Sequence, residues 1–336
     1  MKLLVLGAGG FIGRTAIREA AAAGWQVVGL VRSDEAALRV EEAGGTPHRF
    51  SVTDPATWAE AARGAHAVID LIQPGLPGRV TRRAIQRISA TRQETTAGVL
   101  RALRSLPAAE RPLLVSVSGL DDLDPGAGRT VSHTSARRAV PVGFAHIGLP
   151  VRRMIEEAGV PAVHVYLGNM VYGPGKGFGD LIVPGLARRR MPVPGTGTNR
   201  LPIIHVEDAA RALVHVAGLP GVTGRSFVAT DGTATTLGEL FDETARLLGV
   251  PAPIRLPRWL AGPFAGEIAV QTLTLDTAAD PSALMETGFE LRYPSFREGV
   301  AATLATLATL ATLSAEAPGT EAALTPQTRR RARAVP

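Results

Sequence analysis

Three glycines near the start of the chain, Gly7, Gly10 and Gly13, have the spacing GxxGxxG between a short apolar run at 2–6 and an alanine-rich stretch reaching about Ala23. At the junction of a strand and a helix this spacing does a specific job. The first glycine permits the tight turn, the second lets a pyrophosphate approach the backbone, and the third lets the helix pack on the strand. The free N–H groups of Phe11, Ile12 and Gly13 and the positive helix end then favour phosphate. At the end of the next strand, where an acid would bind a ribose 2′-hydroxyl, the sequence reads Leu30-Val31-Arg32-Ser33. Arg32 suits a 2′-phosphate through its planar fork, and Ser33 adds a hydroxyl. The loop therefore predicts a dinucleotide site that takes NADP(H).

Groups for acid–base chemistry are scarce. There are only two lysines, Lys2 and Lys176, among 36 basic residues, and three tyrosines, Tyr166, Tyr172 and Tyr293. There is no cysteine, which excludes disulfides, a thiol nucleophile and a cysteine-held metal. The seven histidines do not cluster at ligand spacing, so no metal is expected. Four of the arginines, Arg329, Arg330, Arg331 and Arg333, sit in the tail and leave +2 of the net +6 elsewhere. Without interleaved aromatics this charge does not point to nucleic acid. No run of 18 apolar residues predicts a membrane span, and the composition fits a soluble cytoplasmic protein that acts on a small molecule.

The elements around these residues alternate. Strands are expected at 2–6, 25–31, 46–52, 67–72, 113–118 and 160–166. Helices are expected up to 23 and at 34–43, 55–63, 80–106 and 151–158, the last with Pro150 in its first turn. Such alternation predicts an α/β fold, a Rossmann-type doubly wound parallel sheet with a smaller C-terminal substrate lobe. The division expected is 1–170 mainly for the dinucleotide, 171–304 mainly for substrate, and 305–336 as low-complexity helix end and disordered tail. Residues 302–313 are four Ala-Thr-Leu triplets, whose period of three makes the leucines spiral slowly around a helix.

Beyond the loop, the segments Ala67-Val68-Ile69-Asp70-Leu71, Val171-Tyr172-Gly173-Pro174-Gly175, Ile204-His205-Val206-Glu207-Asp208-Ala209 and Tyr293-Pro294-Ser295-Phe296-Arg297 follow in order. With these motifs the chain resembles an extended short-chain dehydrogenase/reductase of the NAD-dependent epimerase/dehydratase type over about residues 1–304. The resemblance implies that Leu71 and Ile72 lie over the adenosine ribose. It also implies a serine, which is Ser118, and a tyrosine with a lysine four residues on. Members are often homodimers through two long helices.

Here the pattern breaks. Without a gap, the tyrosine position is Phe144 and the lysine position is Gly148, and Pro150 argues against a helix over 144–148. Tyr172 and Lys176 have the right spacing, but Gly173-Pro174-Gly175 between them is a turn, so Tyr172 is expected to line the site floor. The segment after Ser118 holds Asp121, Asp122, Asp124, His133 and His146; the candidates are His133 and His146, since an imidazole titrates near neutrality, and Asp121 and Asp122 read as turn residues. His205 is expected to cap its helix, and His164 reads as a strand residue.

Gly119 and Leu120 stand where sugar-nucleotide dehydratases of this family carry an Asp-Glu pair, which argues against a sugar 4,6-dehydratase, and the stretch GTGTNRLPIIHVED lacks the Arg-Asp-Phe pattern usual before the histidine in sugar-nucleotide members, which points to a non-sugar substrate. The expectation is an atypical enzyme of specialised metabolism that reduces or isomerises a small molecule without the usual dyad. Its acceptor would be already activated, such as an iminium or enone, or its acid would be a histidine or bound water. A non-redox cyclase, isomerase or lyase with a structural or absent cofactor is the alternative, and a non-catalytic NADP redox sensor the second.

Overall fold

The computed structural model describes residues 1–51, 54 and 56–316. Seven parallel strands form the central sheet: β1 (Lys2–Leu6), β2 (Gln26–Val31), β3 (Thr46–Arg49), β4 (Ala67–Asp70), β5 (Leu113–Gly119), β7 (Ala162–Leu167) and β11 (Ser226–Ala229). Their spatial order is β11-β7-β5-β4-β1-β2-β3. Three parallel two-stranded pairs carry the lobe at the sheet's C-terminal edge. They are β6 (Thr130–Val131) with β13 (Ala278–Ala279), β8 (Met170–Tyr172) with β10 (Ile203–His205), and β9 (Val193–Pro194) with β12 (Arg255–Leu256).

The helices are α1 (Phe11–Ala22), α2 (Asp34–Glu42), α3 (Ala56–Ala62), α4 (Arg82–Arg104), α5 (Ala145–Glu157), α6 (Val183–Ala187), α7 (Val206–Gly218), α8 (Leu237–Leu247), α9 (Arg258–Ala265), α10 (Glu267–Leu273), α11 (Ser282–Met285) and α12 (Phe296–Glu316).

Side chains alternate across the strands, and each face of the sheet has its own core. Leu3, Val5, Val115 and Val163 pack under α1 and α7, with Ile17 and Leu213. Leu4, Leu6, Val68 and Leu114 pack under α3, α4 and α5, with Trp58, Leu103 and Ile155. Each fully buried aliphatic side chain contributes roughly 1.5–3 kcal/mol. The result is a three-layer doubly wound sheet, as the alternation of elements predicts.

Helix α5 departs from the sequence reading. It begins at Ala145, not 151, and holds Pro150 in its interior. Proline removes the N–H that would bond the carbonyl four residues back. That carbonyl belongs to His146, and it accepts instead from the Ser89 hydroxyl of α4 at 2.7 Å. The vacant acceptor is filled from the neighbouring helix, so the helix tolerates the proline. Strand β3 ends at Arg49, short of the expected end: Phe50 lies beyond it, Ser51 forms an isolated bridge with Asp54, and residue 52 lies outside the described residues.

The Ala-Thr-Leu triplets lie within the single helix α12. Leu304 and Leu307 pack against the lobe core, whereas Leu310 and Leu313 are 52% and 58% exposed, the outcome of the three-residue period. The expected disordered tail and its arginines lie outside the described residues.

Candidate functional site

The parallel strands end together at one edge of the sheet, where open α/β folds place ligands. Strand register builds the edge. Leu6 stands beside Asp70, Asp70 beside Ser116, and Ser116 beside His164. This row faces α4 and α5.

The glycine loop leaves β1 and enters α1. Gly7 has φ +71, and a Cβ on it would lie 2.6 Å from the Leu71 carbonyl oxygen. A Cβ on Gly13 would lie 2.9 Å from the Ala8 carbonyl and closer still to that of Gly7. Gly10 is the N-cap of α1, and no side chain caps this helix. The N–H groups of Phe11, Ile12 and Gly13 therefore open the helix without an intrahelical acceptor.

A cavity of about 500 Å³ adjoins this turn, lined by Gly9, Phe11, Arg14, Arg39, Lys176 and Leu307 among others. Lys176 thus sits on the phosphate side of the site, with burial lowering its pKa. Arg14 and Lys176 add cations that the motif alone did not indicate. Leu71 and Ile72 close the loop from β4, held by Asp70, whose carboxylate accepts the Ile72 N–H at 3.1 Å and pairs with Arg92 at 2.7 Å. Both partners of that ion pair are buried.

Arg32 is exposed at the end of β2, and its carbonyl accepts from Arg49 at the end of β3. Ser33 caps α2, its oxygen accepting the Ala36 N–H at 3.2 Å. Its O–H remains free to donate outward.

Ser118 is half-buried at the end of β5. Its hydroxyl lies 2.8 Å from Nε2 of His164, and Nδ1 of His164 lies 3.1 Å from the Ser116 hydroxyl. His164 is buried, and burial, followed by Arg152 and Arg137, holds its pKa well below the ordinary value. The ring is neutral, so one nitrogen donates and the other accepts. Tyr166 packs edge-on against it at 4.4 Å, with its phenol pushed up to about 12 by burial.

A short turn, Leu120–Asp122, follows β5 and buries two carboxyls. That of Asp121 holds α5: one oxygen accepts the Phe144 N–H at 2.9 Å and the Thr272 hydroxyl at 2.6 Å. That of Asp122 rests against Gly148, where a Cβ would lie 2.6 Å from the carboxyl carbon and closer to both oxygens. Burial raises the Asp122 pKa to about 7; the Ser118 hydroxyl acts in the opposite direction, Asp121 adds to the rise, and Arg152 and Arg137 reduce it. An Asp122 carboxyl therefore occupies the space into which a side chain at 148 would project. Phe144 packs with Val80, Ile85 and Ile268.

The other sequence candidates lie apart from this network. His133 is exposed on the loop after β6, and His146 is half-buried on α5, engaged through its carbonyl. Tyr172 is fully buried between Phe178 and His205, with its hydroxyl unpartnered. His205 caps α7 by accepting the Glu207 N–H at 3.3 Å. Among the described residues no group of three or more His, Asp or Glu could hold a metal ion, and no helix is long and apolar enough to cross a membrane.

The family model for the NAD dependent epimerase/dehydratase family matches residues 3–229. The chain belongs to this family. As a member, it is 26% identical over 308 residues to a 3-diazoavenalumate denitrifying reductase from a Streptomyces species, covering 89% of this chain and 99% of that one. A 69-residue match at 42% identity to the uncharacterized protein C2A9.02 of Schizosaccharomyces pombe spans only 23% of that protein. Among solved structures, the human epimerase family protein SDR39U1 with NADPH superposes with a TM-score of 0.75 at 21% identity, over 90% of this chain and 99% of its own. The UDP-glucuronic acid 4-epimerase of Bacillus cereus, in complex with UDP-glucuronic acid and NAD, superposes with a TM-score of 0.73 at 17% identity, over 92% and 100%.

Proposed function

We propose that this protein is an NADP(H)-dependent reductase of a small, non-sugar organic molecule in specialised metabolism, working without the tyrosine and lysine of its family. The glycine turn carries the reading. Gly7 and Gly13 leave no room for a Cβ, Gly10 leaves little, and three N–H groups point out of α1 beside Arg14 and Lys176. These residues fit a dinucleotide. Gly10, Phe11, Ile12 and Gly13 would hold the pyrophosphate, Leu71 and Ile72 would flank the adenosine, and Arg32 with Ser33 would receive a 2′-phosphate. When bound, the nicotinamide supplies or accepts a hydride.

The chain's own residues shape what happens to the acceptor. Ser118 presents a hydroxyl at the strand edge, and Phe144 walls one side with an apolar ring. Gly148 offers no cation. The reductase relative from Streptomyces supports a reduction of a small, non-sugar molecule, and the human relative bound to NADPH supports the cofactor choice. The absence of a phenol at 144 and of an ammonium at 148 also favours a second reading, a non-redox isomerase or lyase in which the nucleotide only shapes the site.

The deciding experiment is to measure NADPH and NADH affinity, then follow deuterium from labelled NADPH into product with candidate acceptors. A micromolar NADPH affinity, on the order of tenfold or more tighter than NADH, and label in the product are expected. Product formed with no change in nicotinamide redox state would overturn the reductase in favour of the isomerase.

A further inference from the structure

We propose that His164 is a positioning residue: Ser116 holds it in the tautomer with hydrogen on Nε2, Nε2 donates to Ser118, and the Ser118 O–H is thereby left free to point at the substrate. The inference deepens the reductase reading above and rests on it for the acceptor that this hydroxyl would meet.

The strands set up the contact. Ser116 and Ser118 are two apart on β5, the period of a strand, so both hydroxyls lie on one face of the sheet. On β7, His164 stands beside Ser116 and Tyr166 beside Ser118. The imidazole bridges the two serines, with Nε2 2.8 Å from the Ser118 Oγ and Nδ1 3.1 Å from the Ser116 Oγ. Tyr166 packs edge-on against the same ring at 4.4 Å.

The two distances fit either direction of donation, and burial chooses between them. Ser116 is fully buried, and among the described residues its hydroxyl has one hydrogen-bond partner, Nδ1 of His164. If Nδ1 carried the hydrogen, it would donate to the Ser116 Oγ, and the Ser116 O–H would be left in the interior with no acceptor. If Nδ1 is bare, the Ser116 O–H donates to it and no buried donor is stranded. A stranded donor is costly, enough to favour the second arrangement by on the order of tenfold or more. The neutral ring then carries its hydrogen on Nε2, and Nε2 donates to Ser118.

The consequence appears at the strand edge. A hydroxyl that accepts from Nε2 does not also donate to the ring. His164 and Ser116 are buried, whereas Ser118 is half-buried, so its O–H is the end of the network that reaches the site. It is presented as a donor to an acceptor atom that gains negative charge. In the opposite tautomer Ser118 would give its hydrogen to the ring and offer the substrate only lone pairs. A fixed donor suits a neutral acceptor with a lone pair, such as the carbonyl of an enone. It does not suit an iminium, whose nitrogen has no lone pair to accept, and the cations Arg152 and Arg137 near His164 also disfavour a cationic acceptor. Ser118 is the catalytic residue in this arrangement; His164 and Ser116 act through it.

The test starts with the resting protein. Full-length protein with isotope-labelled histidine is followed by NMR across neutral pH. His164 is expected to show a protonated Nε2 and a bare Nδ1 at every pH, because burial, Arg152 and Arg137 keep the ring neutral. The Ser116 hydroxyl proton, protected from exchange, is expected to couple to Nδ1. A bare Nε2, or a ring that gains a second proton in this range, overturns the assignment. Two variants then separate positioning from packing. In His164→Gln the amide N–H and carbonyl can take both places of the ring, and in His164→Leu neither is possible. With an enone that the deuterium experiment above shows to be reduced, kcat should fall on the order of tenfold or more in His164→Leu. It should recover in His164→Gln, with NADPH affinity unchanged in both. An undiminished kcat in His164→Leu, or an equal loss in both variants, overturns the role. NADPH affinity keeps the two ideas apart. Tight NADPH binding with the opposite tautomer sinks this inference alone, and the assigned tautomer without NADPH binding sinks the reductase reading alone.

Discussion

Replacing Gly148 with alanine adds one methyl group at the fourth residue of α5. Helix propensity by itself favours the change by up to about 1 kcal/mol. The site opposes it. The new Cβ would stand 2.6 Å from the Asp122 carboxyl carbon, and real Cβ atoms essentially never come within 3.0 Å of a neighbour. The carboxyl must move, and it is enclosed by α5, β5 and its own turn. Overpacking of this kind costs about 1–3 kcal/mol. The clash offsets or outweighs propensity, and a net loss of up to about 2 kcal/mol follows, or up to roughly 6 °C in Tm. Denaturant unfolding of Gly148→Ala, Asp122→Ala and the double variant measures the coupling directly. Removing the carboxyl should relieve the methyl clash by about 0.5–3 kcal/mol. A Gly148→Ala protein as stable as the unsubstituted one, or strictly additive effects in the double variant, would refute the packing argument.

Other perturbations have equally definite outcomes. Gly13→Ala drives a Cβ into the carbonyls of Gly7 and Ala8 and should abolish NADPH binding in a calorimetric titration while the fold survives by circular dichroism. Arg32→Ala should weaken NADPH by about 1.5–3 kcal/mol and leave NADH affinity unchanged, reducing the preference between the two. Asp70→Ala strands the buried Arg92 cation and should cost about 3–5 kcal/mol in chemical denaturation. Asp122 has a folded pKa raised from 3.8 to about 7, so the folded state holds more protons than the unfolded one between those values. Its contribution to stability falls as pH rises through that window, and Asp122→Asn should flatten this part of a Tm-against-pH curve.

Much of the fold was legible because it rests on local signals. The strand–glycine–helix start, the alternating apolar runs and the 302–313 triplets each encode their element within a short window. The boundary of α5 was not, because the group that offsets Pro150 is the hydroxyl of Ser89 on another helix. The candidate site divides in the same way. Ser118 and the glycine turn come from motifs, whereas His164 read only as a polar residue in an apolar strand. Its one visible signal was a histidine two residues from Tyr166 on the same strand face. What makes it interesting is the register of β5 against β7, which no local pattern carries.

The sequence by itself determined the glycine turn between β1 and α1 and the scarcity of lysine. Glycine spacing and a count of two lysines are properties of the chain, independent of how it folds. Only the tertiary structure decided what surrounds Ser118 and Gly148. The parallel register sets Ser116 beside His164, and the turn after β5 presses Asp122 against Gly148. Hydrogen-bond partners and desolvation depend on which atoms lie within about 3 Å in space, and residues 48 or 26 positions apart along the chain acquire those relations only when the sheet and helix α5 close around them.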